Sequence, residues 1–169
     1  MIRKILLAAA VSAFAVVPAS ADPATLLGVF QNWSAYSSGS GSELTCYALS
    51  QPKATQPRGA KRAPIYLMVS DWPGRKVKAE PQIVLGYPVK ENAPAALAIG
   101  STKFAFFARG PGSAWLQQLG DNARLIDTLG KGVSAVASGV SARGTKTSDT
   151  YALAGFPDAL AKIHDVCKM

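Results

Sequence analysis

The sequence predicts a mainly β protein: a single-domain antiparallel β-sandwich with a short internal helix and a C-terminal helix. Short apolar segments that suit strands recur at intervals of about ten residues, as is typical of sandwiches and barrels. Glycine and proline separate these segments. The C-terminal stretch differs, because its apolar residues are spaced for one face of a helix.

The predicted strands begin with a hairpin and then follow one another along the chain. Residues Gln31–Tyr36 and Glu43–Ser50 flank a turn of serine and glycine and form this hairpin. The segment Pro64–Asp71 is apolar on both faces, which suits a strand inside a packed sheet. The further predicted strands are Pro81–Tyr87, Ala95–Ser101, Lys103–Arg109, Ser113–Gln117, Gly132–Ala142 and Lys146–Ala154.

Two helices interrupt the strand pattern. Asp121 is suited to cap a short helix that ends at Gly130. The second helix has Pro157 in its first turn and runs to Cys167. We expect its apolar face to pack on the sheet and to carry the cysteine inward. That face consists of Phe156, Ala159, Leu160, Ile163 and Cys167.

The N-terminus has the three parts of a secretory signal peptide. A basic start is followed by the apolar run Ile5–Val17 and by Ala19-Ser20-Ala21, an A-x-A site that predicts cleavage before Asp22. The run is shorter than the roughly 20 residues of a membrane-spanning helix; an uncleaved anchor is the alternative. We therefore expect 1–21 to be a signal peptide and 22–169 to be one exported domain, periplasmic or secreted, without a transmembrane segment.

The charge of the chain points to the kind of partner. The chain has 18 Lys and Arg against 10 Asp and Glu, and loss of Arg3 and Lys4 with the signal peptide leaves a net charge of +6. Such a balance favours anionic partners, and exported proteins rarely meet nucleic acid. We therefore expect an anionic envelope or host-surface component and no nucleic acid. Simple solubility is the alternative interpretation of the charge.

The two cysteines, Cys46 and Cys167, lie near opposite ends of the mature chain. An even pair in an exported protein predicts a disulfide. Metal ligation or a reactive thiol are the alternatives, and His164 is the single histidine near either cysteine. We expect a structural disulfide and neither a metal nor another cofactor.

The segment Gln51–Ala63 stands apart, because it combines basic residues with two prolines, no acidic residue and no apolar period. We interpret it as an exposed basic loop. A second basic group, Arg75, Lys76 and Lys78, follows Trp72 at a predicted turn. Loops on the same end of the sheet would form one cationic patch; the alternative is a solvated, mobile loop. The candidate binding residues are Lys53, Arg58, Lys61, Arg62 and Trp72.

The sequence offers little for catalysis. It has one histidine, no G-x-S-x-G string, and no pair of acidic residues that stands out for glycoside hydrolysis. Residues Ser50-Gln51-Pro52-Lys53 match S-x-x-K, but Pro52 is unsuited to the helix on which that chemistry depends. The sequence therefore favours a binding or structural protein, and we assign no catalytic residue.

A set of short strings spread over the mature chain carries further information. They are IYLMVSDWP at 65–73, GYPVK at 86–90, IGSTKF at 99–104, AW at 114–115, and RGT at 143–145 leading into DTYALAGF at 149–156. With the signal peptide and the two cysteines, they resemble the invasion-associated locus B family of Gram-negative bacteria. The resemblance covers almost the whole mature chain, although Ala152 stands where the family often has serine. It implies an exported, mostly β domain with no established catalytic residues.

These features predict an exported protein that acts by binding, as an envelope or host-interaction factor. A link to host-cell entry and virulence is implied by the resemblance alone. The alternative is a periplasmic enzyme or enzyme inhibitor acting on cell-envelope material. A deep pocket lined by polar groups would favour the enzyme, whereas a flat cationic or aromatic surface would favour the binding protein.

Overall fold

Eleven strands form one continuous antiparallel sheet in the computed structural model, which describes residues 23–90 and 92–169. The strands are β1 (Thr25–Phe30), β2 (Trp33–Ser38), β3 (Thr45–Ser50), β4 (Ala54–Gln56), β5 (Tyr66–Trp72), β6 (Val77–Val84), β7 (Pro94–Ile99), β8 (Thr102–Arg109), β9 (Ser113–Leu116), β10 (Ser134–Val140) and β11 (Lys146–Ala152). They lie in the order β1-β2-β3-β5-β6-β9-β8-β7-β10-β11-β4. Two helices, α1 (Asn122–Lys131) and α2 (Phe156–Cys167), complete the fold. The mainly β class with a C-terminal helix is confirmed.

The sheet folds back on itself around one hydrophobic core. Alternate strand residues point inward, and inward residues from both halves, such as Leu67 of β5 and Phe104 of β8, belong to one buried cluster. The two halves also meet through a hydrogen bond. The indole Nε1 of Trp33 in β2 donates to the carbonyl of Ala152 in β11 at 3.1 Å. A single curled sheet thus produces the sandwich-like architecture.

Most predicted strands are present, although their ends shift. The predicted hairpin corresponds to β2 and β3, which place Tyr36 opposite Tyr47. Strand β6 begins at Val77, so Lys78 lies in a strand and not in the predicted turn. The sequence pattern does not predict β1 or β4. Strand β4 lies within the predicted basic loop and pairs with β11 through its backbone, which requires no apolar pattern.

Helix α1 differs from its prediction at both ends. It continues through Gly130 and ends at Lys131. The buried side chain of Leu129 holds its last turn against the core, which outweighs the cost of about 1 kcal/mol for a glycine inside a helix. Asp121 makes no side-chain capping hydrogen bond in the described structure, and instead pairs with Arg124 at 3.0 Å. Asp121 therefore occupies the predicted N-cap position without the capping hydrogen bond, and the predicted stop at Gly130 is wrong, although the helix itself is present.

Helix α2 packs across the inner faces of β1, β2, β3 and β5. Gly155 precedes it with φ 93°, and a side chain there would collide with the carbonyl of Phe30. The first helical residue, Phe156, packs on Trp33 with ring centroids 4.8 Å apart. The predicted apolar face is confirmed, since Phe156, Ala159, Ile163 and Cys167 are all buried and Leu160 packs against them.

The predicted disulfide is confirmed and fastens the end of α2. Cys167 is bonded to Cys46 of β3, with Cα atoms 6.0 Å apart. The bond excludes a reactive thiol or metal ligation for either cysteine. Among the described residues, no helix has the length and apolar character needed to cross a membrane. The predicted signal peptide, 1–21, lies outside the described residues.

Candidate functional site

Four loops meet at one end of the sheet. They connect β3 to β5 (51–65, including β4), β6 to β7 (85–93), β8 to β9 (110–112) and β10 to β11 (141–145). Backbone hydrogen bonds join them to one another: Ala63 N–H to Gly86 at 2.9 Å, Leu85 N–H to Gly112 at 2.8 Å, and Ala142 N–H to Pro88 at 2.8 Å. These loops and the strand residues beside them form one surface, which we call the loop end.

The loop end accounts for the net charge of residues 22–169. It contains eight of the sixteen basic residues that remain after the predicted cleavage: Lys53, Arg58, Lys61, Arg62, Lys90, Arg109, Arg143 and Lys146. Asp149 accompanies them, and Glu91 follows Lys90 directly in the sequence. The rest of the mature chain has eight basic and eight acidic residues and is neutral. The excess of +6 is therefore concentrated at one end.

Arg62 differs from the other basic residues because its side chain is buried. Its two terminal nitrogens donate to the two carboxylate oxygens of Asp149 at 2.9 and 2.5 Å. The two side chains are 5% and 0% exposed, and the hydrogen bonds to Asp149 raise the pKa of Arg62. The expectation that Gln51–Ala63 is exposed throughout is thus wrong at Arg62. The bidentate pair fastens the loop to β11.

Two tyrosines and a threonine extend this buried polar cluster. The hydroxyls of Tyr87 and Thr147 are 2.6 Å apart, and the guanidinium of Arg62 lies 5.8 Å from the centre of the Tyr87 ring. Tyr151 is fully buried, and its hydroxyl has no hydrogen-bond partner among the described residues. Burial raises the pKa of both Tyr87 and Tyr151, and the charge of Asp149 adds to this. Both phenols therefore stay neutral at physiological pH.

An open depression of about 630 Å³ contacts Lys146 and Thr147, and two smaller ones lie between the loops beside this cluster. One has a volume of about 430 Å³ and contacts Arg62 and Tyr66. The other, of about 340 Å³, contacts Tyr87. Proline, glycine and alanine supply much of their walls. The polar groups of their walls come from Gln51, Arg62 and Tyr66 in the larger of these two depressions and from Tyr87 and Ser113 in the smaller.

Trp72 lies far from the loop end. It is the last residue of β5, whereas the segment Lys53–Arg62 precedes the start of that strand at Tyr66. At about 3.3 Å per residue, the strand separates the two by about 20 Å. The guanidinium of Arg75 stacks on the Trp72 ring at 4.0 Å. Because the loops before and after a strand lie at opposite ends, the two basic groups do not form the single patch that the sequence suggested.

His164 belongs to a third cluster, below the end of α2. Its Nδ1 lies 2.7 Å from a carboxylate oxygen of Asp71, which is fully buried. The other oxygen of Asp71 accepts the backbone N–H of Ala79 at 2.8 Å. Strand pairing places Cys46 opposite Asp71, so this cluster borders the disulfide. The arrangement fastens α2 to the sheet, and the loop end does not share its residues.

The structure also shows an aromatic surface that the sequence pattern does not predict. Residues on the outer side of β2, β3, β5, β8 and β9 share partial exposure and apolar character; they are Tyr36, Tyr47, Leu49, Tyr66, Met68, Phe107 and Trp115. We call this surface the aromatic face. Tyr36 and Tyr47 stack with centroids 5.4 Å apart, and burial raises the pKa of Tyr47. The sequence signal for this surface is the apolar character of both faces of Pro64–Asp71. We interpret that character above as burial of the strand on both sides.

Strand pairing arranges the aromatic face in rows. One row crosses five strands through Leu49, Met68, Gln82, Trp115 and Phe107. The next row, nearer the loops, consists of Tyr66, Val84, Ser113 and Arg109. Since Arg109 belongs to the loop end, the aromatic face continues directly into the cationic surface.

Comparison of the chain with protein-family models, curated proteins and solved structures gives no match. The resemblance to the invasion-associated locus B family stays a prediction that rests on the strings quoted above. The two surfaces, the loop end and the aromatic face, are therefore the basis on which a function can be proposed.

Proposed function

We propose that the mature protein is exported and acts without catalysis, by binding an anionic component of the cell envelope or host surface through its loop end. The observation that supports this proposal is the distribution of charge: the loop end carries +6 and the rest of the mature chain is neutral. A surface of one sign concentrates oppositely charged ligands and speeds their encounter with the protein.

The arrangement of the cations suits a ligand with several negative charges. Lys53, Arg58 and Lys61 are exposed, and pairs between exposed charges contribute little individually. Several contacts to one ligand combine their effects. The buried pair Arg62–Asp149 holds the loop in place, which reduces the ordering cost of binding. A polyanion therefore fits this surface better than a single small anion.

The same proposal places the protein in the periplasm or outside the cell. The disulfide supports it, because disulfides persist mainly in oxidising compartments. The predicted signal peptide agrees with this location. The alternative of a periplasmic enzyme or inhibitor finds no specific support in the described part of the chain. The depressions at the loop end are open, and His164 is held by Asp71 in a separate cluster.

A charge-neutralising variant tests the proposal. Lys53, Arg58 and Lys61 are changed together to Gln, and Arg62 is kept because it partners a buried carboxylate. The control variant changes Lys76, Lys131 and Lys168 to Gln, which removes the same charge from exposed positions elsewhere. Binding is measured to purified lipopolysaccharide and to vesicles that contain an anionic phospholipid.

We expect the loop variant to bind about tenfold more weakly than wild type, since three exposed contacts of about 0.5 kcal/mol combine to roughly that factor. The control should bind like wild type, and added salt should weaken the wild-type interaction. Both variants should melt close to wild type. Equal losses in the two variants would show that net charge acts without a site, and would contradict the proposal.

A further inference from the structure

The aromatic face combines ring surfaces with small polar groups. Its partly exposed outward positions alternate between aromatic or aliphatic side chains and the hydroxyl or amide groups of Ser34, Gln82 and Ser113. In the middle of the face, the Gln82 amide donates to the Ser113 hydroxyl at 2.8 Å. Charges stand at its margins, Glu80 opposite Ser70 and Arg109 opposite Ser113. A purely apolar ligand would leave the polar groups between the rings without hydrogen-bond partners.

Sugar rings match this combination. One face of a pyranose carries C–H groups that stack on the electron-rich face of an aromatic ring, and its edges carry hydroxyls that bond amides and serines. Neighbouring strands are about 4.8 Å apart, comparable to the length of one hexose unit in an extended glycan. The six strands from β2 to β8 therefore offer room for several units.

The face also leads into the cationic surface. Tyr66 lies in the same row as Arg109 and contacts the depression that reaches Arg62. A chain lying on the aromatic face would continue onto the loop end without crossing an acidic residue in that row. Charge complementarity at this junction selects chains that carry acid groups.

We infer that the ligand is an acidic polysaccharide, whose sugar rings stack on the aromatic face while its carboxylate, sulfate or phosphate groups contact the loop end. This inference rests on the proposed function and specifies its ligand class. It distinguishes the ligand from anionic lipid, which shares the negative charge and lacks a repeating chain of rings.

The experiment compares polyanions that differ in having sugar rings. The probes are polygalacturonate and heparin as acidic polysaccharides, polyglutamate as an acidic polymer without sugar, and dextran as a neutral polysaccharide. The test variant changes Tyr66 and Trp115 to Ala, and a conservative variant changes both to Phe. The control changes Val136 and Thr150 to Ala, a paired and partly exposed couple on the outer side of β10 and β11. Affinity and melting temperature are measured for each.

We expect at least one acidic polysaccharide to bind about tenfold more tightly than polyglutamate, with dextran binding weakly. The Ala variant should lose about tenfold in that affinity and keep its affinity for polyglutamate. The Phe variant and the control should bind like wild type. Should the double Ala variant melt much lower, Tyr66→Ala alone gives the same comparison, with an expected loss of about threefold.

Three results would overturn the inference. Equal binding of polyglutamate and both polysaccharides, unchanged by the Ala variant, would leave the loop end as an anion site without sugar recognition. A concentration-dependent dimer that the Ala variant abolishes would make the aromatic face an interface between two copies. Binding of none of these polyanions would overturn the inference, whereas the proposed function falls only if lipopolysaccharide and the anionic vesicles also fail to bind.

Discussion

At the scale of single residues, the basic segment Gln51–Ala63 shows which side-chain environments a local sequence pattern can predict. Its composition predicts an exposed loop, and Lys53, Arg58 and Lys61 are indeed exposed. Arg62 has the same local surroundings but is buried against Asp149, which lies 87 residues further along the chain. No local pattern distinguishes Arg62 from Lys61, because its partner is supplied by the tertiary fold.

Tyr151 gives a prediction at this scale that depends on pH. Its hydroxyl is buried, and burial raises its pKa above the ordinary value of about 10. The unfolded chain therefore releases this proton first, so the contribution of Tyr151 to stability is complete below about pH 10 and declines as the pH rises further. We expect Tyr151→Phe to weaken the loss of stability above about pH 10, measured by urea unfolding across pH.

The same substitution removes a buried hydroxyl that has no hydrogen-bond partner in the described structure. At pH 7, Tyr151→Phe should therefore raise the free energy of unfolding by about 1 kcal/mol. Tyr66→Phe, on the partly exposed aromatic face, is the control and should leave the free energy of unfolding at pH 7 close to that of wild type. A marked loss of stability at pH 7 in Tyr151→Phe would mean that the hydroxyl has a partner after all.

At the scale of elements, local signals identified α2 and most strands, and failed at the edges of the sheet. The apolar face of α2, its proline in the first turn and its terminal cysteine are all encoded within twelve residues. Strands β1 and β4 lie at the two edges of the sheet, where few side chains are buried and the alternating pattern is weak. The failure at Gly130 has the opposite cause, since tertiary packing of Leu129 overrides a local stop signal.

The link between α2 and β3 gives the prediction at this scale. Cys46→Ser should lower the free energy of unfolding by about 2 to 5 kcal/mol, because the disulfide closes a loop with a sequence separation of 121. Urea unfolding measures this, and wild-type protein treated with a reductant is the matched control. Thiol counting on unreduced, denatured wild-type protein should find no free thiol. Two free thiols in protein isolated from the periplasm would contradict the disulfide.

At the scale of the whole molecule, fold class was predictable and the shape of the sheet was not. The alternation of apolar residues, together with the glycines and prolines between segments, predicts strands. It does not show that eleven strands share one sheet that curls on itself. The sequence likewise does not predict that the basic residues gather at one end of the sheet. Its eight basic residues come from separate stretches between Lys53 and Lys146, and the topology brings those stretches to one end.

Export is the prediction for the molecule as a whole. The A-x-A site at Ala19-Ser20-Ala21 should give a mature N-terminus at Asp22. Mass spectrometry of the protein from a periplasmic fraction checks this, and Ala21→Arg should block cleavage while the domain still folds. Intact protein beginning at Met1 in the membrane pellet would instead indicate an uncleaved anchor.

The closure between Cys46 and Cys167 has a mechanical consequence. A pulling force applied on either side of the domain, before β1 and after α2, passes through the sulfur bridge and bypasses the 120 residues between the cysteines. Such a force can peel away β1 and β2, which lie outside the closed loop. Every basic residue of the loop end lies inside it. A molecule held at its termini under tension would thus keep its cationic surface assembled.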